Sequence, residues 1–142
     1  MKRAVLDASV ALKWYLADED HGEMALDLLN RYLADDLEII APSLLEYEVM
    51  NGLVVAQRRG RLNKEIVGSA IQGFLKLGIQ SVSVSALYPR ILHFCGGYSH
   101  SGYDASYLAL AEAERIPLIT ADESLFNAVK KDLTWVKFLG RR

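Results

Sequence analysis

The sequence predicts an α/β protein, a three-layer α/β/α arrangement around a mostly parallel sheet, and three observations carry that expectation. Short apolar or β-branched runs alternate with longer segments of helical period along the chain. Hydrophobic residues make up 51% of the 142, which suits a globular chain and excludes a disordered one. No repeat, low-complexity tract or linker breaks the alternation, so one domain over residues 1–142 is expected. A chain of this length buries roughly 70% of its unfolded surface, enough for a full core.

In chain order, "AVLD" (Ala4 to Asp7) reads as a short buried strand and "SVALKWYLA" (Ser9 to Ala17) as a helix. "EMALDLLNRYLA" (Glu23 to Ala34) carries helical periodicity, and "LEIIAP" (Leu37 to Pro42) is a second strand. "SLLEYEVMNGLVVAQRRG" is a helix punctuated at both ends, with Ser43 as N-cap and Gly60 as stop. A further helix runs from Asn63 to Lys76 and stops at Gly78. "IQSVSVS" (Ile79 to Ser85) alternates and is a strand. Helices follow over Ala86 to Phe94 and Asp104 to Arg115. "PLIT" (Pro117 to Thr120) is a strand, "ESLFNAV" a helix and "TWVKF" a last strand.

Composition narrows the function classes. No apolar run approaches the ~18 residues of a membrane span. Strand-like sequence begins at "RAVLD", which leaves no room for a secretory signal ahead of it. The single cysteine, Cys95, forms no internal disulfide, so a reducing cytoplasm is the expected setting. Sixteen Lys and Arg stand against eighteen Asp and Glu, a formal charge of −2. That argues against holding nucleic acid by a broad positive field; such chemistry would need local help, such as bound cations.

In parallel sheets, ligands bind beyond the carboxyl ends of the strands. Asp7 closes the first strand and Asp122 follows "PLIT", so two acids fall at that edge. Each acid has an ordinary reading too. Asp7 suits the N-cap of the next helix, and Ser43 with Glu46 makes a capping box. Thr120 with Glu123 makes another, and Ser101 with Asp104 a weaker one. Glu48 lies inside its helix, roughly 200° around the axis from Glu46. Its neighbours one turn on, Asn51 and Gly52, leave an open notch, whereas Val49 and Met50 close over Glu46. Carboxylates gathered at one edge repel unless a cation sits among them. Oxygen donors without matching histidines or cysteines favour Mg²⁺ or Mn²⁺ over zinc, and the reaction class that follows is phosphodiester hydrolysis.

The segments "VLDASVALKW", "APSLLEYEVMNGL", "YDASYLALAE" and "PLITADESL", in this order and spacing, resemble the PIN domain, and more narrowly the VapC-type ribonuclease toxins of toxin–antitoxin pairs. The resemblance runs essentially from end to end. It implies a three-layer domain whose acids bind Mg²⁺ or Mn²⁺ and cut RNA. Carried over, the first acid falls on Asp7, the family's E-x-x-N on Glu48 with Asn51, the helix-start acid on Asp104 and the T-x-D acid on Asp122. Ser9 and Thr120 match positions where the family often carries a hydroxyl near the metal. The same resemblance implies a homodimer and a small antitoxin whose tail occupies the acidic groove.

Other features read as structural. His93 and Cys95 are too few for a zinc site. His100 reads as a solvated loop histidine close to Asp104; Lys13 and "QRRGR" (Gln57 to Arg61) are secondary candidates for phosphate contact. Trp14, Tyr15 and Trp135 read as core or dimer-contact aromatics. Two alternatives stand beside the toxin: a housekeeping RNA- or DNA-processing nuclease of the same fold, and a non-hydrolytic receiver-like module. A receiver wants an acidic pair after the first strand and a late lysine, and "TADES" offers no lysine.

Overall fold

The computed structural model describes residues 2–140. Among them the elements are β1 (Lys2–Leu6), α1 (Ala8–Leu12), α2 (Gly22–Leu33), β2 (Leu37–Pro42), α3 (Leu45–Arg58), α4 (Lys64–Lys76), β3 (Gln80–Val82), a 3-10 turn (Ser85–Leu87), α5 (Tyr88–Tyr98), α6 (Gly102–Glu114), β4 (Leu118–Thr120), α7 (Glu123–Val129) and β5 (Val136–Phe138). The α/β expectation holds. The five strands form one all-parallel sheet in the order β3-β2-β1-β4-β5.

Residues of alternate parity on the central strands feed two cores. Ala4, Leu6 and Ile39 pack with Ala25 and Leu28 of α2 on one face. Val5, Ile40 and Leu118 pack on the other, with residues of α3, α4, α5, α6 and α7. Burial on both faces is why β1 and β2 read as continuous apolar runs rather than alternating ones. Helix α6 is buried without a break from Ala105 to Ala111, between the sheet and α5, so it has no solvent stripe over that stretch. No helix among the described residues is long and apolar enough to cross a membrane.

The order of strands positions the site. From β1 the chain crosses to β2 on one side, and from β4 it crosses to β5 on the other. Adjacent strands whose connections diverge leave a crevice beyond their carboxyl ends, and β1 and β4 are that pair.

Several boundaries differ from the sequence expectation. Helix α1 stops at Leu12 rather than Ala17, because Lys13, Trp14 and Tyr15 turn tightly, each N–H donating to the carbonyl three residues back. Strand β3 ends at Val82, where its neighbour β2 ends at Pro42; beyond that register "SVS" has no strand partner among the described residues and turns. Helix α5 continues through Gly96 and Gly97 to Tyr98 and is closed by Ser99 at φ 54°. The Ser43–Glu46 capping box is absent: the N-cap is Leu44, with no side-chain cap bond. Nor does Thr120 cap α7; Asp122 does, its carboxylate accepting from Leu125 N. Gly60 does terminate α3, at φ 75°, with its own N–H donating to Gln57 and that of Arg61 to Ala56.

Candidate active site

Asp7 sits where β1 passes into α1. Its carboxylate caps α1 by accepting from Ser9 N at 3.1 Å, so the N-cap reading holds. It also accepts hydroxyl hydrogen bonds from Ser9 and Thr120, one on each oxygen. Those hydroxyls accept in turn from the β4–α7 turn, Ser9 Oγ from Ala121 N at 2.8 Å and Thr120 Oγ1 from Asp122 N at 3.1 Å. The network ties the end of β1 to the end of β4. Burial pushes the Asp7 carboxyl up to about 6, against the hydroxyl donors and the Val10 backbone N–H; the Asp122 charge adds to the rise.

Helices α3 and α6 bring in the other two acids. Glu48 is half-buried, and its Oε1 accepts from the Tyr107 hydroxyl at 2.6 Å. Burial raises its carboxyl, the Tyr107 bond pulls it back and Asp104 pushes it up again. Asp104 is raised by burial and then by Asp122, with His100 pulling the other way. The helix cap there belongs to Ser101, whose Oγ accepts from Asp104 N at 3.1 Å, so the Asp104 carboxylate is not the cap. The charge effects run pairwise, from Asp122 onto Asp7 and Asp104 and from Asp104 onto Glu48, and Asp7 and Asp122 follow the carboxyl ends of β1 and β4.

The notch beside Glu48 is not open as expected. Gly52 faces Leu12 of α1, and a Cβ there would lie 2.5 Å from Leu12 Cδ1; the small residue admits close helix packing instead. Asn51 is exposed. Glu46 points elsewhere and lines a pocket with Phe74, Leu75 and Ile79.

Tyr107 was not among the candidates read from sequence. It is 2% exposed, and its hydroxyl is pushed far above the ordinary tyrosine value by burial, then by Glu48 and by the charges of Asp7 and Asp104. Its position three residues after Asp104, on the same helix face, was the available signal. Lys13 is drawn to Glu19 at 3.3 Å and Arg61 to Asp18 at 2.6 Å, so both are engaged in the loop after α1. Arg58 and Arg59 are exposed. His100 Nδ1 donates to Tyr98 O, 2.8 Å away. Trp14 donates to Ala25 O at 2.8 Å, Tyr15 packs edge-on against Phe74 and Trp135 against Phe94, which are core roles.

Among the described residues no group of three His, Cys, Asp or Glu side chains is close enough to hold an ion directly. The donor chemistry nonetheless suits Mg²⁺, which keeps several waters and takes only one or two protein carboxylates. Among the described residues Glu48 Oε2 accepts no hydrogen bond, and Asp7 Oδ2 has a lone pair beyond its Thr120 partner, whereas Oδ1 accepts from both Ser9 N and Ser9 Oγ.

Residues 4–132 match the PIN domain family model. The chain is 34% identical over 118 residues to the VapC ribonuclease Mb0985 of Mycobacterium bovis, covering 83% of this chain and 84% of that protein. Ribonuclease VapC9 of Mycobacterium tuberculosis matches with the same identity and coverage. Among solved structures, PAE2754 of Pyrobaculum aerophilum aligns with a TM-score of 0.69 at 22% identity, over 98% of this chain and 92% of that one. VapBC2 of Rickettsia felis, solved bound to a DNA fragment from their promoter, aligns at 0.65 and 17%, over 96% of each chain.

Proposed function

The chain belongs to the PIN-domain family, and on that premise we propose that it is a Mg²⁺- or Mn²⁺-dependent ribonuclease, the toxin of a toxin–antitoxin pair. The observation that supports the reading is the Asp7–Ser9–Thr120 network joining the ends of β1 and β4, with Asp122 acting on Asp7 and Asp104, and Asp104 on Glu48, by charge. Similarity to VapC ribonucleases over most of the chain supports RNA as the substrate class.

Each acid has a distinct task in this reading. Asp7, locked by Ser9 and Thr120, is the fixed point of the cluster. Glu48 and Asp104 bring negative charge from α3 and α6, and Asp122 does so from the start of α7. When bound, the ion would neutralise phosphate charge and supply Lewis-acid chemistry. Without it, the carboxylates repel an RNA backbone and one another.

The reading extends to partners. A small antitoxin would place a basic side chain among the carboxylates, since a guanidinium or ammonium can replace the ion's charge there. A homodimer working in the cytoplasm completes the proposal. Purified protein should cut RNA with Mg²⁺ or Mn²⁺, stop in EDTA, and stop again when co-purified with its antitoxin. Induced expression alone should arrest growth. Undiminished cleavage in excess chelator would sink the metal, and normal growth despite soluble active protein would sink the toxin.

A further inference from the structure

We propose that Tyr107 is a positioning residue for Glu48, fixing which carboxylate oxygen faces the ion; this rests on the reading of Glu48 as a metal-site residue. A glutamate has three rotatable side-chain bonds, and nothing on α3 itself restrains this one: its hydrogen bond among the described residues comes from the Tyr107 hydroxyl at 2.6 Å. That bond holds Oε1 and leaves Oε2 for the cluster. Asp7 is held by Ser9 and Thr120, and Asp122 by Leu125 N. Tyr107 does for Glu48 what those groups do for their acids.

Tyr107 itself is immobile for a different reason. Its ring is buried among the core residues of α6 and the sheet, and its hydroxyl is the one polar atom of that side chain. Core packing therefore dictates where the hydroxyl lies, and the hydroxyl dictates where Glu48 lies. Outer partners that orient ligands in this way are worth roughly 10–100-fold in metal affinity.

The test is Mn²⁺ affinity of the RNA-free protein, read by electron paramagnetic resonance, with melting temperature checking that each variant folds. Tyr107→Phe keeps the ring and should weaken Mn²⁺ binding roughly ten-fold. In a Glu48→Gln background the same change should have less than about a two-fold effect, and in an Asp122→Asn background the full effect should return. Equal effects in both backgrounds would mean that Tyr107 acts only through general packing, and would overturn the proposal. So would parental affinity in Tyr107→Phe while Glu48→Gln has lost it. If Glu48→Gln itself keeps parental affinity and cleavage, the reading of Glu48 has failed, and the role of Tyr107 falls with it.

Discussion

At the scale of single residues, Asp7 couples the fold to pH. Burial raises its carboxyl from 3.8 to about 6 despite two hydroxyl donors, so the folded, metal-free protein binds this proton more tightly than the unfolded chain does. A carboxyl raised on folding stabilises the fold fully below about pH 4, and that contribution is lost as the pH rises through about 6. The displacement corresponds to roughly 3 kcal/mol, an upper figure. Asp7→Asn should therefore flatten the fall in metal-free melting temperature between pH 4 and 7, with Glu48 and Asp104, raised in the same direction, supplying what slope remains. Parallel curves for variant and parent would show that Asp7 is not the coupled group. The two glutamates of α3 make a second contrast. Glu46 lines a pocket away from the cluster, so Glu46→Gln should leave cleavage near parental. Glu48→Gln should lower it by at least the roughly 10–100-fold that loss of an outer partner costs. The reverse pattern would move the site to the other side of α3.

At the scale of elements, caps and site residues separate on α6. Ser101 Oγ caps the helix by accepting from Asp104 N, while the Asp104 carboxylate belongs to the acid cluster. Ser101→Ala should cost about 1 kcal/mol, a few degrees in melting temperature. Asp104→Asn should melt at or above the parent without metal and lose cleavage; if it cleaves like the parent, Asp104 is only a helix-start residue. Element identity was legible wherever local chemistry agreed with tertiary context: β2 and α7 have the expected bounds, and Gly60 and Asn63 punctuate α3 and α4 as their types suggest. It was illegible where a distant partner decided. The length of β3 follows from where β2 ends, and the glycines at 96 and 97 stay helical because α5 packs along α6. Spacing alone suggested caps at Ser43 and Thr120; Thr120 is instead spent on Asp7, across the sheet. The four candidate acids are legible by type and position, whereas Tyr107, which donates to Glu48, lies in an apolar run that looks like ordinary core.

At the scale of the whole molecule, charge placement sets how RNA is held. The chain carries −2 overall, and several of its cations are already committed to acids: Arg3 to Glu38 and Glu114, Lys13 to Glu19, Arg61 to Asp18 and Glu19, Arg90 to Glu112. The more exposed of these pairs contribute little stability, yet all of them lower the positive potential available to a phosphate backbone. RNA binding by the metal-free protein should therefore rest on few phosphate contacts. For single strands, each neutralised phosphate adds about −0.7 to the slope of log affinity against log salt. Labelled RNA followed by fluorescence anisotropy in EDTA, between roughly 50 and 200 mM salt, should show a slope no steeper than about −1.5, the value for two contacts. Mg²⁺ should then raise affinity in the parent and far less in Asp7→Asn, because the ion, rather than a basic track, offsets the carboxylates. A metal-free slope near −4 would reveal six or so phosphate contacts, place Arg58 and Arg59 among the suspects, and overturn the view that this molecule meets RNA mainly through its acid edge.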